Sequence, residues 1–248
     1  MLRSRERVNA LNRRANLCLP IFLSIMIPIR RLALAAIVLN IALIAIRVLS
    51  YRQLLAMPGS VLFIAKPLIV LAVYFAVVMW MTSVSGDRAV ALSIGTSFGL
   101  VTAAVQIIHL FIESFVPTEE LVTGITALVF MVGTFLLWTV AGYVAGRRSA
   151  SVGAAATAGS WAAIVCMLIL VAVGLALSFV PIPSASYVST WSEFRESGWK
   201  DATAFGIANT FGSAYSHLLV GPIVGAITGA IGGLIGRPRS KSLNETPR

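Results

Sequence analysis

The sequence predicts an all-α fold, a polytopic transmembrane bundle of about six spans with a short interfacial helix before the last one. Three observations predict it. The 248 residues are 58% hydrophobic and only 11% charged, against about 25% charged in a soluble domain. Mean hydropathy is +0.92, and a water-soluble chain of this length has no core large enough to hide so much apolar surface. The apolar residues also gather into six runs near the roughly 20 residues needed to cross a bilayer.

In chain order the runs are 32–50, 62–81, 89–113, 121–145, 152–180 and 205–236. The first is the weakest, because Arg47 interrupts it. The last is too long for one straight crossing. At about 1.5 Å per residue it overshoots a hydrocarbon core of about 30 Å, so its first third is expected outside the core or strongly tilted. Ahead of the runs, segment 1–31 reads as a basic, amphipathic or partly disordered cytoplasmic arm. A cleavable signal would carry small residues where Arg30 and Arg31 stand. An internal start at Met26 is a second reading of the same segment. Segment 237–248 reads as a basic cytoplasmic tail, leaving 32–236 as the transmembrane domain.

Lysine and arginine set the sidedness, because they concentrate in cytoplasmic connections. With six crossings and both termini inside, most of the 19 basic residues fall in the cytoplasm, among them Arg30, Arg31, Arg88, Arg147, Arg148 and Arg237. Arg47, Arg52, Lys66, Arg195 and Lys200 fall outside, with Arg47 and Arg52 the awkward pair. The net charge of +10 is thus a matter of membrane orientation. No nucleic-acid-binding module accompanies it, so the expected partner is the bilayer, and nucleic acid is not. The pattern suits a bacterial inner membrane.

Helix starts agree with the partition. Asp87 can cap the third span and Thr118 with Glu119 and Glu120 the fourth, since acidic groups suit the positive end of a helix dipole. Ser149 or Ser151 can open the fifth. In the connection 181–204, Thr190-Trp191-Ser192-Glu193 has the form of a capping box and Gly198 that of a helix stop. Trp191 and Phe194 share a face, and Tyr187 and Trp199 flank it, as in a helix lying at the outer interface.

Glycine recurs at 221, 225, 229 and 233, a strict step of four inside an uncharged run. Lipid tails are as apolar as leucine, so spanning helices associate through close packing instead, and glycine opens the groove that permits it. Each glycine lowers helix propensity by about 1 kcal/mol in water, but the bilayer enforces helix by forbidding unpaired backbone groups. The stripe predicts a docking groove for another helix of this chain or of a second copy. Gly95 and Gly99, with Ala103, make a weaker groove on the third span; Gly142 and Gly146 make one on the fourth. Pro222 removes a backbone donor and is expected to bend the helix.

The same step runs upstream through Asn209, Ser213 and His217. On the third span Gln106, His109 and Glu113 fall on one face. Under the proposed topology these residues and Lys66 lie toward the outer boundary, where a polar site would accept a proton or bind an anionic group. The same spacing of His109, Glu113 and His217 offers a metal as the alternative ligand, though none is assigned. Interfacial snorkelling is the plainer account of Lys66 and Glu113. No catalytic residue is assigned. HLFIE at 109–113 is not the HExxH of zinc proteases, and Ser213 with His217 lacks a nucleophile elbow or an orienting acid. Cys18 and Cys166 lie in apolar runs and form no metal-binding pattern. No cofactor motif is present.

The favoured function is a non-catalytic membrane protein acting through glycine-mediated helix packing, as a scaffold, sensor or accessory subunit, with a homo-oligomer or a second membrane protein as partner. The alternative is a small-solute or proton-coupled transporter using the polar residues above, and a third, weaker reading is an intramembrane hydrolase.

Overall fold

The structure is a computed structural model. It describes residues 2–83, 87–116, 120–180, 188 and 192–237, with side chains from Met26 onward except those of Asp87, Glu120 and Leu121. Every long element among these residues is helical: α1 (Leu2–Ser50), a short 3-10 turn (Arg52–Ala56), α2 (Ser60–Thr82), α3 (Asp87–Phe115), α4 (Glu120–Ser149), α5 (Val152–Leu177), α6 (Ser192–Glu196) and α7 (Ala202–Gly236). Six of them are long and apolar enough to cross a membrane: Met26–Ser50, Ser60–Thr82, Arg88–Phe115, Val122–Ser149, Val152–Leu177 and Ala202–Gly236. The chain is a multi-pass integral membrane protein of six helical spans.

The first span starts earlier than its hydropathy indicated. Arg30 and Arg31 are part of one helix that continues back through the basic arm to Leu2. Arg30 keeps its place by donating from Nη2 to the Met79 sulfur at 2.9 Å. The expected caps at Asp87, Thr118 and Thr190 lie outside the described side chains. Ser151 rather than Ser149 caps α5, its Oγ accepting the Ala154 N–H at 3.3 Å. Gly198 stops α6 with φ +73°.

The contacts divide the chain into two compact units, 1–93 with 171–215 and 94–170 with 216–248. In the first unit, α1 buries Ile29, Ala33, Ile37, Asn40 and Ile44 along one face, the stripe a period of 3.6 produces. It packs on α2, whose matching stripe is Val70, Leu71, Tyr74, Val78 and Met81. Asn40 is fully buried and donates to the Ala36 carbonyl at 2.8 Å. Such back-bonding satisfies the amide donor of a side chain inside an apolar helix. Aromatic rings tie the short α6 to its neighbours: Phe194 and Trp199 meet Phe205 of α7 edge-on, and Trp199 meets Phe63 of α2.

The second unit is built on residues 152–170 of α5, nearly all of them buried or half-buried. Its buried residues include a run of small ones, Ala155, Ala158, Ala162 and Ala163. Small residues bring neighbouring backbones near. A Cβ on Gly95 would lie 2.6 Å from the Ala158 carbonyl oxygen, and one on Gly99 2.7 Å from that of Ala162. Trp161 fixes the same α3–α5 seam, donating its indole N–H to Thr96 Oγ1 at 2.9 Å.

Candidate functional site

Within the second unit, α7 inserts between α4 and α5 by its glycines. A Cβ on Gly225 would stand 2.5 Å from the Gly159 carbonyl oxygen and 2.7 Å from the Ala163 Cβ; one on Gly229 would stand 2.6 Å from the Ala155 oxygen. Gly221 faces Met167 and Gly233 faces Ala155, so the whole four-residue stripe lies on α5. Gly142 and Gly146 of α4 face Gly229 and Gly233, while Gly232 and Gly236 face Thr139 and Tyr143. The groove is therefore filled by helices of the same chain. Gly95 and Gly99 serve a different seam, that of α3 on α5.

The upstream continuation Asn209, Ser213 and His217 is exposed. A step of four advances about 400° on a helix of 3.6 residues per turn, so it drifts about 40° each time. Over three steps, from Gly221 back to Asn209, the line turns about 120° away from the buried face. The face of α7 that is buried there runs through Ile207, Phe211, Ala214 and Leu218 instead, with steps alternating between four and three.

Gln106 and His109 share one seam of the second unit. Gln106 Nε2 donates to Thr134 Oγ1 at 2.5 Å and to the Phe130 carbonyl at 3.2 Å, and Thr134 is 3% exposed. His109 stacks on the Phe130 ring at 4.6 Å and 24°. Glu113, two turns on from Gln106, is exposed. In apolar surroundings an interhelical bond of this kind holds two helices in register. Lys66 belongs to the first unit. Its exposed ammonium lies 5.7 Å from the Tyr215 ring centroid and 6.0 Å from that of Phe63, a distance at which the ring quadrupole attracts a cation. Asn209 and Ser213 lie in the first unit, and His217 in the second. No group of three His, Cys, Asp or Glu residues that would hold a metal occurs among the described residues.

Two polar contacts of the first unit escaped the sequence reading. Tyr51, just after α1, donates its hydroxyl to Asp201 Oδ2 at 2.6 Å. Asp201 caps α7 with its other oxygen, which accepts the Ala204 N–H at 3.0 Å. Burial pushes the Asp201 carboxyl up, but the bonds from Tyr51 and from the Ala204 and Thr203 N–H groups outweigh it and hold the group below its ordinary value. The bond to Asp201, then burial, pushes the Tyr51 phenol up. A carboxylate a few residues before an apolar run signals an N-cap, but nothing local names a partner 150 residues away. The second contact is Arg47, whose guanidinium carbon lies 5.0 Å from the Phe179 ring centroid.

No protein-family model, curated protein or solved structure matches the chain.

Proposed function

We propose that this membrane protein is non-catalytic and works through helix contacts, as a scaffold, sensor or accessory subunit of a membrane assembly. The observation that supports this reading is the glycine-lined insertion of α7 between α4 and α5. Backbones so close leave no room for one helix to slide without the others, which suits a fixed platform better than a carrier that must rearrange. The polar groups of α3 serve the same end, Gln106 being committed to α4. The charge partition favours a bacterial inner membrane with both termini cytoplasmic.

The test is chemical cross-linking in native membranes followed by size analysis in lipid nanodiscs. A discrete assembly of more than one chain, unchanged in His109→Ala, is the expected result. A lone chain would overturn the reading.

A transporter is the second reading. It draws on the exposed Lys66 between two rings and on the exposed polar line Asn209, Ser213, His217. It requires ligand-dependent stabilisation, or flux into vesicles, that His109→Ala or Glu113→Gln removes.

A further inference from the structure

The structure assigns Arg47 a ligand: we propose that its guanidinium binds the phosphate of an anionic phospholipid in the leaflet at the α1–α2 turn. The argument starts from cost. A charged group inside a span is unfavourable, and such residues pair with something. Arg47 is inside the first span, one turn from the end of α1. It is half-buried, and its Nε is sealed from solvent with no hydrogen-bond acceptor among the described residues. Its nearest described partner is the Phe179 ring, 5.0 Å from Cζ, which supplies a π face but no counter-charge.

Of the carboxylates in the connection before α7, Glu193 and Glu196 of α6 are exposed, and Asp201 is already engaged. Asp201 gives one oxygen to the Tyr51 hydroxyl and the other to the Ala204 N–H. The sealed Nε cannot reach beyond the chain, so it is the Nη groups and the charge that are left for something outside it. Of the exposed side chains near it, Ile46, Leu49, Phe179 and Val180 are apolar, and the Ser50 hydroxyl is spent on the Ile46 carbonyl. A group at a lipid-facing surface within one turn of a helix end lies at headgroup depth, where the anion at hand is a phosphate. Guanidinium and phosphate match as a two-point fork, and a net-negative headgroup supplies the missing charge, whereas a zwitterionic one brings its own cation.

Arg47 also lies where a positive charge complements the negative end of a helix dipole. Lysine would serve the dipole equally well but lacks the fork, and this separates the two roles. The full-length protein is reconstituted with an equimolar mixture of phosphatidylglycerol and phosphatidylcholine, and the lipids retained after purification are counted by native mass spectrometry. Phosphatidylglycerol should be enriched on the unaltered protein. Retention should fall about tenfold in Arg47→Gln, the loss of one charged hydrogen-bonding partner, and fall measurably in Arg47→Lys. Arg52→Gln, one turn on and exposed, should keep it.

Equal retention of the two lipids by the unaltered protein overturns the proposal, and that result needs no variant to fold. Unchanged phosphatidylglycerol retention in Arg47→Gln or Arg47→Lys overturns it as well. Inorganic phosphate that displaces the lipid and protects the protein against heat equally well would make the ligand a soluble anion and overturn the assignment to lipid.

Discussion

Ala150 ends α4 with φ 52°, in the left-handed region where a Cβ crowds the following carbonyl. Glycine is the usual residue at such a helix end. Ala150→Gly relieves that strain and gives back part of the gain through a freer unfolded chain, so a net stabilisation of about 0.5–1 kcal/mol is expected in a detergent denaturation series. The Arg237 Nε bond to the Ala150 carbonyl, 3.1 Å, is unaffected by the exchange. Tyr51 and Asp201 give a pH prediction at the same scale. The Asp201 pKa is held below 3.8, so its stabilisation is in full force above that value and is lost as pH falls through the lower native value. The Tyr51 pKa is raised above 10.0, so its share is full below that value and fades as pH rises through the higher native one. The contact is half-buried, and solvent still screens it. Tyr51→Phe should therefore lower stability near neutral pH by no more than about 1 kcal/mol, and should flatten the stability profile at both extremes. An unchanged acid limb in Tyr51→Phe would show that the bond does not hold Asp201 in its ionised form.

Glycine substitutions in the span helices should differ in sign according to what stands opposite. Gly229 meets the Ala155 carbonyl and the Gly159 backbone, where a Cβ would lie 2.6 and 2.9 Å away. Backbone cannot swing aside as a side chain does, so Gly229→Ala must push α7 off α5, at a cost of about 1–3 kcal/mol. Gly133 of α4 has open space within 4 Å of the same added atom, and Gly133→Ala should be neutral or stabilising by up to about 1 kcal/mol. Equal effects at the two positions would mean that propensity, not packing, governs these helices. The step of four was legible in the sequence because only glycine and alanine make such a groove. Its occupant was not, because a groove specifies the size of what fills it and not its address. The drift of about 40° per step explains the misleading part, since the polar residues upstream keep the step and leave the face. For Gln106 and Thr134 a double-mutant cycle with Gln106→Leu and Thr134→Val should return about 0.6 kcal/mol of coupling, with about 1.7 as the upper end seen for interhelical bonds in membranes.

The six spans were readable at the scale of the whole molecule because bilayer thickness imposes a length and an apolar content that nothing else in the chain imitates. Helix ends were read less well, since α1 stays helical back through Arg30 and Arg31 and an apolar run does not mark where a helix begins. The candidate site was read least well. Residue type and spacing put Gln106, His109 and Glu113 on one face, but whether a polar side chain faces a ligand or a neighbouring helix depends on packing that spacing does not encode. The proposed sidedness rests on charge and is compatible with two contacts, each inside one unit. Arg237 bonds the Ala150 carbonyl, so the α4–α5 turn and the end of α7 lie on one side. Tyr51 bonds Asp201, so the α1–α2 turn and the start of α7 lie together on the other. In the orientation we propose, the basic pair Arg147-Arg148 puts the first of these sides in the cytoplasm. With Cys18 and Cys166 replaced by serine and alanine, a cysteine at Ser197 should react with an impermeant maleimide in intact cells, whereas one at Arg237 should react only after the membrane is opened. Labelling at Arg237 in intact cells would invert the orientation, and labelling at both positions would break the link between charge and side on which it rests.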